Sequence, residues 1–336
     1  TRRSSDLMDE NRKAVIDHDK CISCGACIYQ CPFGAIVDKS FVVDVLNLLK
    51  NSWNNTSYHV YAVVAPAVSS QFQGVKTEQV YAGIKELGFY DVVEAAIGAD
   101  MVSAFEAKEL AETVEEKGWK TSSCCPAFVD YVEKNYPQFV DHISTAVSPM
   151  IATARAIKAK DKKARVVFVG PCTAKKVEMK RESLKDAVDI VITFEELQAI
   201  FDAREIELTS LEPRMAGEAS SFGRNFARTG GVTESVAHTL ELSGLDLDVK
   251  AVRCNGIDEC IKAMKMASFG KLDANFIEGM ACKHGCTGGA ASLLHDAKGI
   301  EMINRYGKES KTDNPLEILE KYPIDNINME RFNHED

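Results

Sequence analysis

Nine of the eleven cysteines in this 336-residue chain fall in four tight motifs, and that crowding constrains the fold more than any other feature. The first motif is Cys21-x2-Cys24-x2-Cys27-x3-Cys31-Pro32. It lies in a stretch of about forty residues, too short to hold a core by apolar burial alone, so folding there calls for metal. This is the bacterial ferredoxin spacing, in which three thiolates hold one 4Fe–4S cubane and the cysteine before Pro serves a second cluster. Two accounts of Cys31 stay open. In the favoured one it serves a second cluster whose motif lies upstream, since position 1 is Thr rather than Met and the sequence is expected to be truncated. In the other it closes a lone cubane with Cys21, Cys24 and Cys27. A zinc knuckle fits four cysteines with a trailing Pro less well, and His18 reads as a surface residue rather than a ligand.

Disulfides are the other use for so many cysteines. Their clustering, with no signal peptide in view, favours thiolates holding metal in a reducing cytoplasm. The Arg2-Arg3 pair is not followed by the apolar segment that a twin-arginine export signal needs. The longest apolar run, about Val60 to Val68, falls short of the roughly eighteen residues of a membrane span. With 40 basic and 50 acidic residues the net charge is −10, which argues against nucleic acid or an anionic membrane surface as partner.

Short β-rich runs alternate with amphipathic helical patterns from Phe41 onward. Expected strands are Val60–Ala65, Val92–Ala96, Ala164–Val169, Val188–Thr193, Val249–Arg253 and Asn275–Glu278. Expected helices include 75–87, 101–117, 127–136 and 149–159. Such alternation predicts an α/β fold with mostly parallel sheets flanked by helices. The division expected is a ferredoxin-like unit over residues 1–40, a two-lobed domain over 41–292, and a peripheral tail of helices and loop over 293–336, broken by Gly307 and Pro315. The remaining cysteine motifs follow strand ends, where ligands of open α/β sheets gather. Four ligands from three such ends can then converge on one cluster between the lobes.

Those motifs are Cys124-Cys125-Pro126, Pro171-Cys172-Thr-Ala-Lys-Lys176 and Glu278-Gly-Met-Ala-Cys282-Lys-His-Gly-Cys286-Thr-Gly-Gly289. In order and separation they resemble the three active-site signatures of the FeFe (di-iron) hydrogenases, over nearly everything from Tyr58 to Gly289. The resemblance implies a 4Fe–4S cubane held by Cys125, Cys172, Cys282 and Cys286, with Cys286 also bridging to a di-iron unit that brings CO, cyanide and an azadithiolate. Together these form the family's H-cluster. Lys175 matches the lysine whose ammonium hydrogen-bonds a cyanide. Met280 and Phe226 match apolar wall residues, Ala65 and Pro66 the segment over the dithiolate, and Pro171 the residue before the second ligand. Cys124 matches the proton-relay thiol, Glu106 and Glu109 the relay glutamates, and Ser144 the relay serine. Read without the resemblance, Glu106 and Glu109 are an exposed acidic helix face and Lys175 a solvated charge.

The chain also departs from the family pattern. Ser123 widens the first signature, Phe128 stands for Trp, Gly170 for Met and Ala67 for Ser. Lys283-His284 stands for Pro-Gly or Gly-Gly, and Ala290 for Gly. These positions border the ligands without removing one, as in a divergent branch. His284 is a possible donor to a cluster sulfur. Cys254 and Cys260 carry no motif and read as buried structural thiols.

The resemblance implies a cytoplasmic, anaerobic oxidoreductase of hydrogen metabolism that interconverts protons, electrons and H2. Ferredoxin or another low-potential carrier would supply electrons through the N-terminal cubane, and hydrogenase maturation factors would build the cofactor. Two alternatives are weighed. A hydrogen-sensing regulatory hydrogenase would carry a sensory or phosphatase module, and none is visible in these 336 residues. A hydrogenase-like iron–sulfur assembly protein would lack the di-iron unit, and would have no use for Cys124, Lys175, Glu106 and Glu109.

Overall fold

The structure, a computed structural model, describes residue 13 and residues 15–215 and 217–332. The Arg2-Arg3 pair lies outside the described residues. Seven strands form two sheets: β1 (His59–Val64), β2 (Asp91–Glu94), β3 (Lys120–Thr121), β4 (Ala164–Gly170), β5 (Ile190–Thr193), β6 (Ala251–Asn255) and β7 (Phe276–Met280). One sheet has the order β2-β1-β4-β5 and the other β3-β7-β6, and every pairing within them is parallel. Parallel strands are covered on both faces, so they read as unbroken apolar runs. Val60, Ala62, Val63 and Val64 of β1 and Val166, Val167 and Val169 of β4 are accordingly buried. The expected α/β class and the two lobes of parallel sheet are what the structure has.

The largest departure from the expected elements is at residues 95–100. Ala95 and Ala96 close no strand; they open the helix Ala95–Lys117, six residues before its expected start. The cause is burial. Every residue from Ala95 to Ser103 is buried, so the helix shows no polar face there, and a short apolar run does not distinguish strand from helix. Gly98 permits this close packing, since a Cβ there would lie 2.2 Å from the Pro149 carbonyl oxygen of the neighbouring helix Pro149–Lys160.

The segment from residue 293 is not peripheral. Ile303, Tyr306, Ile318 and Met329 are buried in the main core. Val147 N donates to Met329 O (2.7 Å) and Arg331 N to Thr145 O (2.9 Å), so the last described residues bind alongside 145–147. Charged residues in this stretch hid its buried stripe.

Residues 15–41 pack on the larger body through a few directed contacts. Lys134 Nζ donates to the carbonyls of His18 (3.0 Å) and Cys21 (2.7 Å). Buried Lys176 binds Asp38 (2.5 Å) and Glu196 (2.7 Å), and Glu196 in turn accepts from Phe41 N (2.7 Å). The short helix Ala26–Tyr29 buries no residue, as expected of a unit without its own core.

Candidate functional site

Four strand ends meet at one cavity of about 90 Å³. β1 runs into Ala65-Pro66, β3 leads to Cys124-Cys125, β4 to Pro171-Cys172, and β7 to Cys282 and Cys286. All of these residues line it, together with Lys175, Phe226 and Met280. Cys125 caps the helix Pro126–Asn135, whose Pro at the first turn fixes its start and whose N-terminal end favours negative charge. Phe226 is held from two sides. Arg224 makes a paired hydrogen bond to buried Glu94 at the end of β2 (2.9 and 2.8 Å). Buried Glu278 on β7 accepts from Gly230 N (2.6 Å) and Thr233 N (2.9 Å), and Cys286 N donates to Ala227 O (2.7 Å) within the same loop.

The electrostatics suit a cationic guest with soft ligands. Burial pushes the Cys172 thiol up to about 11, with the Cys125 sulfur adding to the shift. It pushes Cys286 up to about 12, with Cys172 and Cys125 adding. Cys282 is likewise pushed well up by burial, with Cys172 and Cys125 adding. Thiolates massed in an apolar wall are unfavourable until a metal supplies positive charge, and four soft sulfurs select iron–sulfur or similar centres. Among the described residues no three His, Cys, Asp or Glu side chains gather around a single point as one ion would require.

A polar chain leaves this cavity on one side. Cys124 lines the cavity, and burial, then the nearby Glu106 carboxylate, push its thiol well up. Glu106 is 2% exposed and accepts from Ser123 N (3.2 Å) and Ser123 Oγ (3.3 Å), while its Oε2 has no partner. Burial raises its carboxyl to about 8, with the Ser123 amide opposing and Glu109 adding. Ser144 Oγ donates to Glu109 Oε2 (2.6 Å), and Glu109 Oε1 also accepts from Lys120 Nζ (2.7 Å) and Thr145 N (3.0 Å). An exposed acidic face is thus excluded for Glu106. Lys175 is no solvated charge either: its ammonium donates to Glu178 (2.7 Å) and to the Cys124 carbonyl (3.2 Å) beside the cavity.

Comparison with known proteins now bears on this geometry. A family model described as iron only hydrogenase large subunit, C-terminal domain, matches residues 58–290. The chain belongs to the iron-only hydrogenase family. A second match, a 4Fe-4S binding domain, covers residues 14–37. Iron hydrogenase 1 of Clostridium pasteurianum is 30% identical over 89% of this chain and 68% of its own length. A cytosolic Fe-S cluster assembly factor NAR1 of Sclerotinia sclerotiorum is 33% identical over 44% of this chain and 29% of its own. In fold, a variant of the FeFe-hydrogenase HydA1 from Chlamydomonas reinhardtii aligns with a TM-score of 0.67 at 22% identity, covering 84% of this chain and 95% of that one. The iron-only hydrogenase match and the ferredoxin-type match together support iron–sulfur cofactors in this chain.

The family's departures in this chain have structural counterparts. Phe128 is fully buried with its ring against Gly279, where a Cβ would lie 2.0 Å from it. At Gly170 the absent side chain is replaced by Phe168, whose ring would be 2.6 Å from a Cβ and which lines the cavity. Ser123 is the residue that holds Glu106. His284 takes a left-handed conformation (φ 67°), is bound through its backbone to Asn255 (2.5 Å), and does not line the cavity. Cys254 and Cys260 are fully buried in the smaller lobe. His18 is exposed. Sequence reasoning missed Glu178 and Lys120. Glu178 was findable, three residues after Lys175 on one helix; Lys120 meets Glu109 only through the fold.

Proposed function

We propose that this protein interconverts protons, electrons and H2 at a cubane held by Cys125, Cys172, Cys282 and Cys286, with a di-iron unit attached through Cys286. The observation that carries the reading is the joint placement of four thiols, Lys175 and Cys124 on one apolar cavity from which a polar chain departs. When bound, the di-iron unit would supply the site at which H2 forms or splits. The chain's own residues do the rest. Lys175, fixed by Glu178, offers its ammonium to an anionic ligand. Ala65, Pro66, Phe226 and Met280 exclude water. Cys124 accepts or returns a proton at its sulfur, and Glu106, Ser144 and Glu109 pass it outward, each step needing groups that titrate or hydrogen-bond in place.

Cys21, Cys24 and Cys27 hold the N-terminal cubane in this reading. Cys31 serves a second cluster in the same reading, as its place before Pro32 in the ferredoxin spacing implies. A low-potential electron carrier, maturation factors, a cytoplasmic setting and the division at residue 40 belong to the same proposal.

The partial match to assembly factors favours a second reading, an iron–sulfur protein with the cubane alone. Infrared spectra of protein matured in an anaerobic host separate the two. Terminal CO and cyanide bands together with H2 evolution from a reduced carrier support the first; a fully loaded cubane with no such bands overturns it.

A further inference from the structure

Thr173 follows Cys172 and opens the helix Ala174–Glu178. A threonine there ordinarily turns its hydroxyl onto the helix's own free amides. Here no such cap bond forms; the hydroxyl donates instead to the carbonyl of Ser23 in the N-terminal cysteine loop (2.9 Å). Ser23 holds a left-handed conformation (φ 56°), a strained state for a residue with a side chain. Its own amide faces Cys21 Sγ (3.3 Å). Gly25, also left-handed (φ 74°), seats the loop so closely that a Cβ would stand 2.5 Å from Ala290 Cβ and 2.6 Å from Thr173 Oγ1. Beside this seat Cys24 packs against the cluster of Ala127, Ala174 and Ala281, as Cys125 and Cys172 also do.

We propose that the Thr173–Ser23 hydrogen bond, with Gly25 seated against Ala290, is the contact that couples the N-terminal cysteine loop electronically to the four-cysteine cavity. The Ser23 carbonyl is one covalent bond from Cys24, and Thr173 is one peptide bond from Cys172. The two thiols are therefore joined by covalent bonds and a single hydrogen bond, and the alanine packing beside them offers only through-space contact. One electron crosses, leaving the donor centre oxidised by one and the acceptor reduced by one, with no bond made or broken. Thr173 is a positioning residue in this account. The inference rests on the proposed function, because it needs a centre at each end.

The test uses the full chain, loaded with both centres and first checked by iron count and by the electron paramagnetic resonance of each centre. The N-terminal centre takes one electron from a flash-excited photosensitiser that a sacrificial amine donor then re-reduces, and the rate at which the second centre becomes reduced is followed, together with the magnetic interaction between the two. Thr173→Val keeps the shape and removes the hydroxyl. The rate should fall clearly below the parent's, with both centres retained. Thr173→Ser should stay near the parent rate. Gly25→Ala should slow transfer at least as much and weaken the magnetic interaction, with partial recovery in Gly25→Ala/Ala290→Gly. An unchanged rate in Thr173→Val, an equal loss in Thr173→Ser, or loss of a centre in Thr173→Val overturns the inference while leaving the proposed function standing. A parent protein that lacks one centre overturns both.

Discussion

The two sides of the four-cysteine cavity are built to different tolerances. On the side of Cys124 the polar groups are sunk in the core: Glu106, Ser123, Ser144 and Lys120 are each at most 4% exposed. On the side of Cys24 the loop, apart from buried Gly25, is half-buried or exposed, and directed contacts from Lys134, Thr173 and Lys176 hold it. Under the proposed function the difference has a physical reason. A proton needs groups that titrate or hydrogen-bond along its route, so its carriers are fixed by close packing. An electron crosses a gap without a carrier atom at each step, so a docked loop suffices.

The largest expected effect breaks the comparison at its centre. Cys286→Ser should abolish the infrared bands of the di-iron unit, whereas Cys254→Ser and Cys260→Ser, in the core of the smaller lobe, leave them in place. If either of those proved as damaging as Cys286→Ser, the ligand set would be wrong.

Next comes the proton side. Cys124→Ala and Glu106→Gln should keep those bands and lower H2 evolution roughly 10²–10⁴-fold, the range for removing a positioned acid–base group. Loss of the cubane in Cys124→Ala would make Cys124 a ligand instead.

Lys120→Met leaves the Glu109 carboxylate largely buried without its cation. Breaking such a pair costs about 3–5 kcal/mol when fully buried, and Glu109 keeps 12% exposure, so denaturant unfolding should show a loss at or below the lower end. A loss under about 0.5 kcal/mol would mean that solvent screens the pair as at a surface.

A further effect is a pH dependence of stability. Glu106, raised to about 8 from an ordinary 4.5, keeps its proton in the folded state after the unfolded chain has lost it. Its contribution is therefore fully present below about pH 4.5 and is lost as pH rises towards 8. Glu106→Gln removes that slope, so relative to the parent it should gain stability across this window. Parallel stability curves for the two proteins would show that the carboxyl is not buried in neutral form.

Much of the site was legible in one dimension. Cysteine spacing marked the ferredoxin-type loop, and three signatures in order pointed to the residues that line the cavity, including apolar Ala65, Pro66, Phe226 and Met280. Strand positions followed from apolar runs, because parallel strands are covered on both faces. The helix start at Ala95 did not, since a run buried all round carries no period. The C-terminal segment misled for the opposite reason: its charged residues masked a buried stripe around Ile303, Tyr306 and Ile318.

What the sequence by itself determined is therefore the inventory: which thiols, which lysine, which carboxyls, and the α/β order that delivers them to strand ends. Tertiary structure alone decided how those groups are partnered. Lys120 reaches Glu109, Ser123 holds Glu106, and Thr173 turns from its own helix to the Ser23 carbonyl. Such pairs join residues far apart in the chain or on separate elements, and no local spacing encodes them. Their charge and hydrogen-bonding state follows from burial, which exists only once the two lobes and the N-terminal loop have closed around the cavity.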